Sequence, residues 1–246
     1  RKIINWYKEY KKLPIVDSSK QWGMYKDKEE DISLKFFTPS DILDKEYTTY
    51  IDFSKDIIED QFSSYSKINF NDVSFFIKKY YTPSKEVKTI EKELVNKYHI
   101  DTNKTIAVCY RGTDKKREVN IPSYQEMFDK IKIIQHKYPN HKLLVQSDEQ
   151  EFIDASKIEF PNLIHFQESR KVSSNHRAVQ FYFPQGEKVH HAQVFLAIMQ
   201  ILSKCDRVIL NSGNVGMWIC LFRNSTKGVS QYLKPKLSPT NKDLWV

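Results

Sequence analysis

Arg111, Thr113, Asp114 and Lys115 follow directly on an apolar run, Ile106-Ala107-Val108-Cys109, within the stretch TIAVCYRGTDK. The apolar residues predict a buried strand, and the abrupt polarity after them predicts a loop at its carboxyl end. Ligands of open parallel α/β sheets bind outside that edge. A planar guanidinium there suits a phosphate or a carboxylate, because it offers two parallel, charge-assisted hydrogen bonds. The same residues also suit a plain Arg111–Asp114 ion pair pinning a surface turn, and this stretch alone leaves both readings open.

Two further strand ends carry polar residues that a simple core does not require. Ser147-Asp148-Glu149 follows KLLVQ, and Asn211-Ser212-Gly213-Asn214 ends RVILN and leads into VGMWICLFR. In a parallel sheet all three ends lie on one edge and can line one cleft. A strand, a small polar turn and a helix present free backbone N–H groups and a partial positive charge to an anion.

The elements that must hold these residues alternate in the βαβ manner of a parallel sheet. After the first strand, Ser123-x-x-Glu126 is a capping box that opens a helix through Phe128, Ile131 and Ile134. Strands are predicted at 142–146, 162–166, 207–211 and 228–233. Helices are predicted after Ser147 or Asp148, over 190–206, and from Val215 through Trp218 to Phe222, with Trp218 in the core. Residues 167–187 form a less readable polar stretch. Before residue 100, the pattern predicts an amphipathic helix over 3–12, short strands at 13–17 and 33–38, and short helices at 40–44 and 54–64. A helix opening at Asn71 or Asp72 follows, then one capped by Ser84 with Val87, Ile90, Leu94 and Tyr98 on one face.

The chain has 246 residues, enough for a large core in one large domain or two small ones. A net charge of +8 favours anionic partners. That charge is dispersed, which argues against a nucleic-acid interface. The three cysteines are far apart, without a C-x-x-C pair, and read as buried free thiols rather than a disulfide frame or zinc site. No apolar run is long enough to span a membrane. The chain opens on Arg1 without a signal peptide, which predicts a piece of a longer protein. It is expected to be either cytoplasmic or the soluble catalytic part of a secretory-pathway protein.

TIAVCYRGTDK, LLVQSDEQEF and ILSKCDRVILNSGNVGMWICLFR, in that order and spacing, resemble the three short conserved regions of the α1,6-fucosyltransferase and nodulation-fucosyltransferase superfamily. The resemblance covers residues 100–233. It implies an α/β fold of the GT-B type, with two Rossmann-like domains and parallel sheets. Residues 1–99 would be an acceptor-side domain, incomplete because the family's amino-terminal glycine-rich segment is absent, and 100–246 the nucleotide-sugar domain.

The family's first motif is similar to His-x-Arg-Arg-x-Asp-Lys. Cys109 stands at its histidine, Arg111 at its first arginine and Gly112 at its second, and Thr113, Asp114 and Lys115 match the rest. The resemblance implies that Arg111 contacts the donor's phosphates, with Asp114, Lys115, Asp148, Ser212, Gly213 and Asn214 completing the donor site. Ile198 stands where the family carries an aspartate near the guanine. Glu118 is nearest the position of the family's base, one residue out of register, and is also readable as a surface carboxylate among basic residues.

The implied activity is inverting transfer of a sugar, fucose from GDP-fucose by first preference, to a glycan hydroxyl. Arg111, Lys115 and the helix start at Gly213 would stabilise the departing diphosphate, and Glu118 would take the acceptor's proton. No Asp-x-Asp triplet occurs, so no metal is expected. The partners are then a nucleotide sugar and a glycan acceptor, with no nucleic acid. The rivals are a non-catalytic nucleotide- or glycan-binding protein, a transferase using another nucleotide sugar, and a nucleic-acid binder with steep salt dependence. His190 and His191 read as capping or packing residues, His176 and Arg177 as a solvated loop, and Lys115-Lys116-Arg117 as a basic loop able to hold a polyanion.

Overall fold

The computed structural model describes residues 25–28, 32–38, 61–233 and 245–246. The elements expected at 3–12, 13–17 and 40–44, and most of 54–64, lie outside the described residues. Residues 33–38, expected as a strand, instead begin with the single helical turn α1 (Ser33–Phe36). Only Phe37 pairs, in an isolated antiparallel bridge with Pro83. The bridge's two bonds run from the Thr38 amide to Thr82 O and from the Ser84 amide to Phe36 O, both at 2.8 Å.

Helices α2 (Phe70–Tyr80) and α3 (Lys85–Lys97) follow. Helix α2 begins before Asn71 and has no side-chain cap. Ser84 caps α3 by accepting a hydrogen bond from the amide of Val87. The α3 face of Val87 and Leu94 is buried in one cluster with residues of the sheet, so packing runs continuously across residue 100.

The remaining order is β1 (Thr105–Tyr110), α4 (Tyr124–Lys137), β2 (Lys142–Ser147), α5 (Gln150–Glu159), α6 (Lys188–Lys204), β3 (Arg207–Asn211), α7 (Asn214–Arg223) and β4 (Val229–Tyr232). The Ser123–Glu126 capping box opens α4, with both reciprocal bonds made. The four strands form one sheet in the order β2-β1-β3-β4, and every pair is parallel. All six β1 residues are buried. Ala107 and Cys109 face a cluster with α3, α6 and α7, while Ile106, Val108 and Tyr110 face one with α4 and α5. That two-residue alternation, apolar on both faces, is what a strand covered by helices on each side requires. Fully burying such a side chain contributes roughly 1.5–3 kcal/mol.

Residues 162–166, expected as a full strand, supply one parallel bridge, Ile164 with Leu144. The amide of Val145 donates to Ile164 O at 2.8 Å, and the Ile164 amide donates to Leu143 O at 2.8 Å. The chain then leaves the β2 edge, because Gln167 and Glu168 turn to Tyr98, whose hydroxyl meets both. From there it crosses to the far side of β1. The strand order therefore reverses between β1 and β3, and their carboxyl ends form the topological switch point at which ligands of such sheets bind.

All three cysteines are free and buried. Burial pushes the thiols of Cys109, Cys205 and Cys220 up to about 12, leaving them inert at neutral pH. Among the described residues, no helix is long and apolar enough to cross a membrane.

Candidate functional site

The three polar strand ends meet at this switch point. Arg111 leaves β1 with its amide donating to Asn211 Oδ1 at 2.9 Å, and Asn211 Nδ2 donates back to Arg111 O at 3.0 Å. The asparagine thus does for two loops what a ladder does for two strands. The end of β2 provides Asp148. One of its oxygens accepts from the Gly112 amide at 2.9 Å and the other from the Thr113 hydroxyl at 2.5 Å.

The guanidinium of Arg111 is set between two carboxylates. Its Nε lies 3.1 Å from Asp148 Oδ2, an ion pair without hydrogen-bond alignment, and Nη2 donates to Asp114 Oδ1 at 3.1 Å. The side chain is only 12% exposed. Burial works against its charge, but Asp148 and Asp114 outweigh that and hold its pKa above the ordinary value. Burial likewise opposes ionisation of Asp114, and Arg111 and Lys115 reverse it, so its pKa is lowered. The Arg111–Asp114 ion pair of the second reading is therefore formed, and it sits at the switch point of the sheet.

Lys115 is buried, with Nζ 2.7 Å from Glu118 Oε2 and 3.8 Å from Asp114 Oδ2. Its stem runs beside Gly213, where an added Cβ would stand 3.5 Å from Lys115 Cδ and Cε. The first and third strand-end loops thus touch. Glu118 is half-exposed and engaged by Lys115.

The Ser212-Gly213-Asn214 turn is tied from a direction the motifs do not predict. The Gly213 amide donates to the Tyr65 hydroxyl at 2.9 Å, and that hydroxyl is 2.8 Å from Gly213 O. The Asn214 amide donates to Gln61 Oε1 at 2.9 Å. Two amides at the start of α7 are therefore already satisfied by buried side chains from residues 61–65. Ser212 points inward, donating to Tyr232 O and accepting from Gln231 Nε2, both at 2.8 Å. Gln231 also accepts from the Tyr65 amide at 2.9 Å and donates to Ser63 O at 3.0 Å. Gly213 has φ 149° and ψ 172°, a conformation almost confined to glycine.

Glu149, neither Ser147 nor Asp148, is the residue before α5, and its own side chain makes no capping bond. The Ser147 hydroxyl instead accepts from the Glu149 amide at 3.0 Å. The Glu149 carboxyl is buried, receives the Tyr124 hydroxyl, and lies so close over Gly112 that an added Cβ would stand 1.6 Å from its Oε2. Burial holds its pKa above the usual carboxylate range, against the Tyr124 bond, which lowers it. Tyr25 is a further neighbour: burial raises its pKa, and Arg111 and Asp114 are the charges that act on it.

The described residues therefore define one Rossmann-like α/β unit with charged strand ends at its topological switch point. No protein-family model matches the chain, and no curated protein matches its sequence. Among solved structures it is similar to NodZ alpha-1,6-fucosyltransferase soaked with GDP-fucose, with TM-score 0.48, 13% identity, and coverage of 73% of this chain and 53% of that one. It is also similar to fucosyltransferase NodZ from Bradyrhizobium, with TM-score 0.41, 10% identity and coverage of 70% and 51%. A third is Arabidopsis thaliana FUT1, a mutant in complex with GDP, with TM-score 0.40, 13% identity and coverage of 71% and 39%. The chain spans about half the length of the two NodZ chains and less of the plant one.

Proposed function

We propose that this switch-point site binds a nucleotide sugar and that the chain is the donor-side part of a glycosyltransferase. Transfer would be inverting and independent of a metal, with fucose from GDP-fucose as first preference and a glycan hydroxyl as acceptor. The observation that carries the reading is Arg111, held at the β1/β3 switch point by Asn211 and aimed by Asp148 and Asp114. Its guanidinium retains N–H donors beyond the two directed at these carboxylates. With Lys115 at its side, it would stabilise charge growing on a departing diphosphate. Glu118 would serve as base once Lys115 turns to the phosphate and releases it.

A thermal-shift panel with GDP, UDP, CDP, dTDP and their sugars tests this, since a ligand of the native state raises the melting point by mass action. GDP or GDP-fucose is expected to give the largest rise. Arg111→Ala is expected to abolish it, and an unchanged shift would remove Arg111 from the site.

The rival reading, a binding protein without transferase activity, is favoured by the Gly213 and Asn214 amides. These already have Tyr65 and Gln61 as acceptors and are not free for phosphate. A GDP-fucose shift without turnover of the donor in the presence of oligosaccharides would select it.

A further inference from the structure

A cavity of about 440 Å³ opens where α6 and α7 end, beside the amino edge of the sheet and away from the switch point. Gln200, Ser203 and Lys204 line it from α6, Phe222 and Arg223 from α7, and Lys227 from the turn before β4. Its volume falls in the range of small-molecule sites, roughly 300–1,000 Å³. Gln200 is only 6% exposed, and its Nε2 is buried without an acceptor. A buried amide donor left so costs stability, and this wall of the cavity is one oxygen short.

The cations on the lining differ in what they can offer. Lys204 is already paired with Glu91. Arg223 directs all five of its N–H groups to the main-chain oxygens of Ser203, Cys205, Asp206 and Lys227, so it fastens the helix ends and has none left for a ligand. Lys227 is exposed, and among the described residues its ammonium has neither a hydrogen-bond nor an ion-pair partner. Beside these groups stands the partly buried ring of Phe222, packed against Trp218 with centroids 5.4 Å apart.

This lining matches an acceptor-rich head on a flat apolar body. The amide of Gln200 takes one oxygen, the free ammonium of Lys227 draws negative charge to it, and a phenyl ring lets a second aromatic ring leave water. The carboxyl ends of two helices carry partial negative charge, which opposes a dianion more than a single carboxylate. We propose that this cavity binds a small aromatic carboxylate, its carboxylate reached by Gln200 Nε2 and Lys227 Nζ and its ring against Phe222. Gln200 meets such a ligand by turning its amide about the last side-chain torsion, which is soft. The site is separate from the switch point and does not rest on the nucleotide-sugar reading.

The test is calorimetric titration of the protein at about 0.15 M salt, which screens unspecific attraction to a basic surface. The probes are benzoate, its neutral counterpart benzamide, and inorganic phosphate. Benzoate is expected to bind at least tenfold more tightly than either of the others. Gln200→Leu keeps the side chain's size and removes the orphaned donor; it is expected to weaken benzoate at least tenfold while leaving the melting temperature of the free protein unchanged or higher. Lys227→Ala, at an exposed position, should leave the fold intact and bring benzoate down to the level of benzamide. Benzamide or phosphate binding as tightly as benzoate, no binding of any probe, or benzoate binding unchanged in either variant overturns the site. Displacement of benzoate by GDP overturns it too, since the probe would then lie at the switch point. Benzoate binding that GDP does not disturb, lost in both variants, supports the site whether or not any nucleotide raises the melting point.

Discussion

The backbone of Arg111 and the side chain of Asn211 exchange two hydrogen bonds across 100 residues of sequence, at 2.9 and 3.0 Å. An amide side chain supplies one acceptor and one donor at the right separation, so it can complete a loop's backbone where the ladder of β1 and β3 has ended. Asn211→Asp keeps the acceptor but loses the donor to Arg111 O and adds a buried charge. It is expected to lower stability by about 1–3 kcal/mol in urea unfolding, and to weaken nucleotide binding by displacing Arg111.

Asp148 is a positioning residue for the guanidinium. Removing one partner of a buried pair leaves the other charge uncompensated, at a cost of about 3–5 kcal/mol. Asp148→Ala should approach that figure, since its carboxylate also receives the Gly112 amide and Thr113 hydroxyl. A loss within a few tenths of a kcal/mol, measured by denaturant midpoint, would show the pair to be energetically silent.

Gly112 occupies a space that Glu149 has closed. Gly112→Ala is expected to be destabilised by about 1–3 kcal/mol or more from overpacking. Gly112→Ala combined with Glu149→Ala should recover part of that loss, a non-additivity that a double-mutant cycle reads directly.

Glu149 and Asp114 respond to pH with opposite signs. The folded pKa of Glu149 is raised, so the native state binds its proton first, and this group's contribution to stability grows as pH falls through the folded value. Asp114 has a lowered folded pKa, so its contribution is present above the unfolded value near 3.8 and is lost as pH falls through the folded one. Glu149→Gln should therefore raise the melting temperature most at pH 7–8 and progressively less toward pH 4. Asp114→Asn should cost stability at neutral pH and little in strong acid.

Tyr65→Phe keeps the buried ring and deletes the hydroxyl that meets both Gly213 N–H and C=O. Orphaning these groups is expected to cost about 1–3 kcal/mol. If the rival reading of the site is right, the freed Gly213 amide should also strengthen binding of inorganic pyrophosphate, measurable by calorimetry.

Local chemistry made much of this architecture readable. The caps at Ser84 and Ser123, with Glu126, are carried by a few residues and formed as their spacing requires. The buried runs at β1, β2 and β3 were legible because both faces are covered, so each strand is apolar without interruption. Residues 162–166 are apolar enough for a strand, yet pairing stops after Ile164 because Tyr98 takes the residues that follow. At the site, Arg111, Asp114, Lys115 and Asp148 could be picked out by type and position. Tyr65 and Gln61 could not, since their partners lie 148 and 153 residues away and nothing in their neighbourhood marks them. The closure of Glu149 over Gly112 was equally invisible, although a glycine where the resembled motif carries an arginine was a trace of it.

The reach of Tyr65 to Gly213, and of its amide to Gln231 166 residues away, also bears on the order in which this protein assembles. Both bonds can hold together only when β3 and β4 lie side by side, and closing so long a loop costs entropy that local contacts do not. The segment around residues 61–65 should therefore lock last during refolding. Its amides should be among the later ones to gain protection from hydrogen exchange, after the sheet has formed.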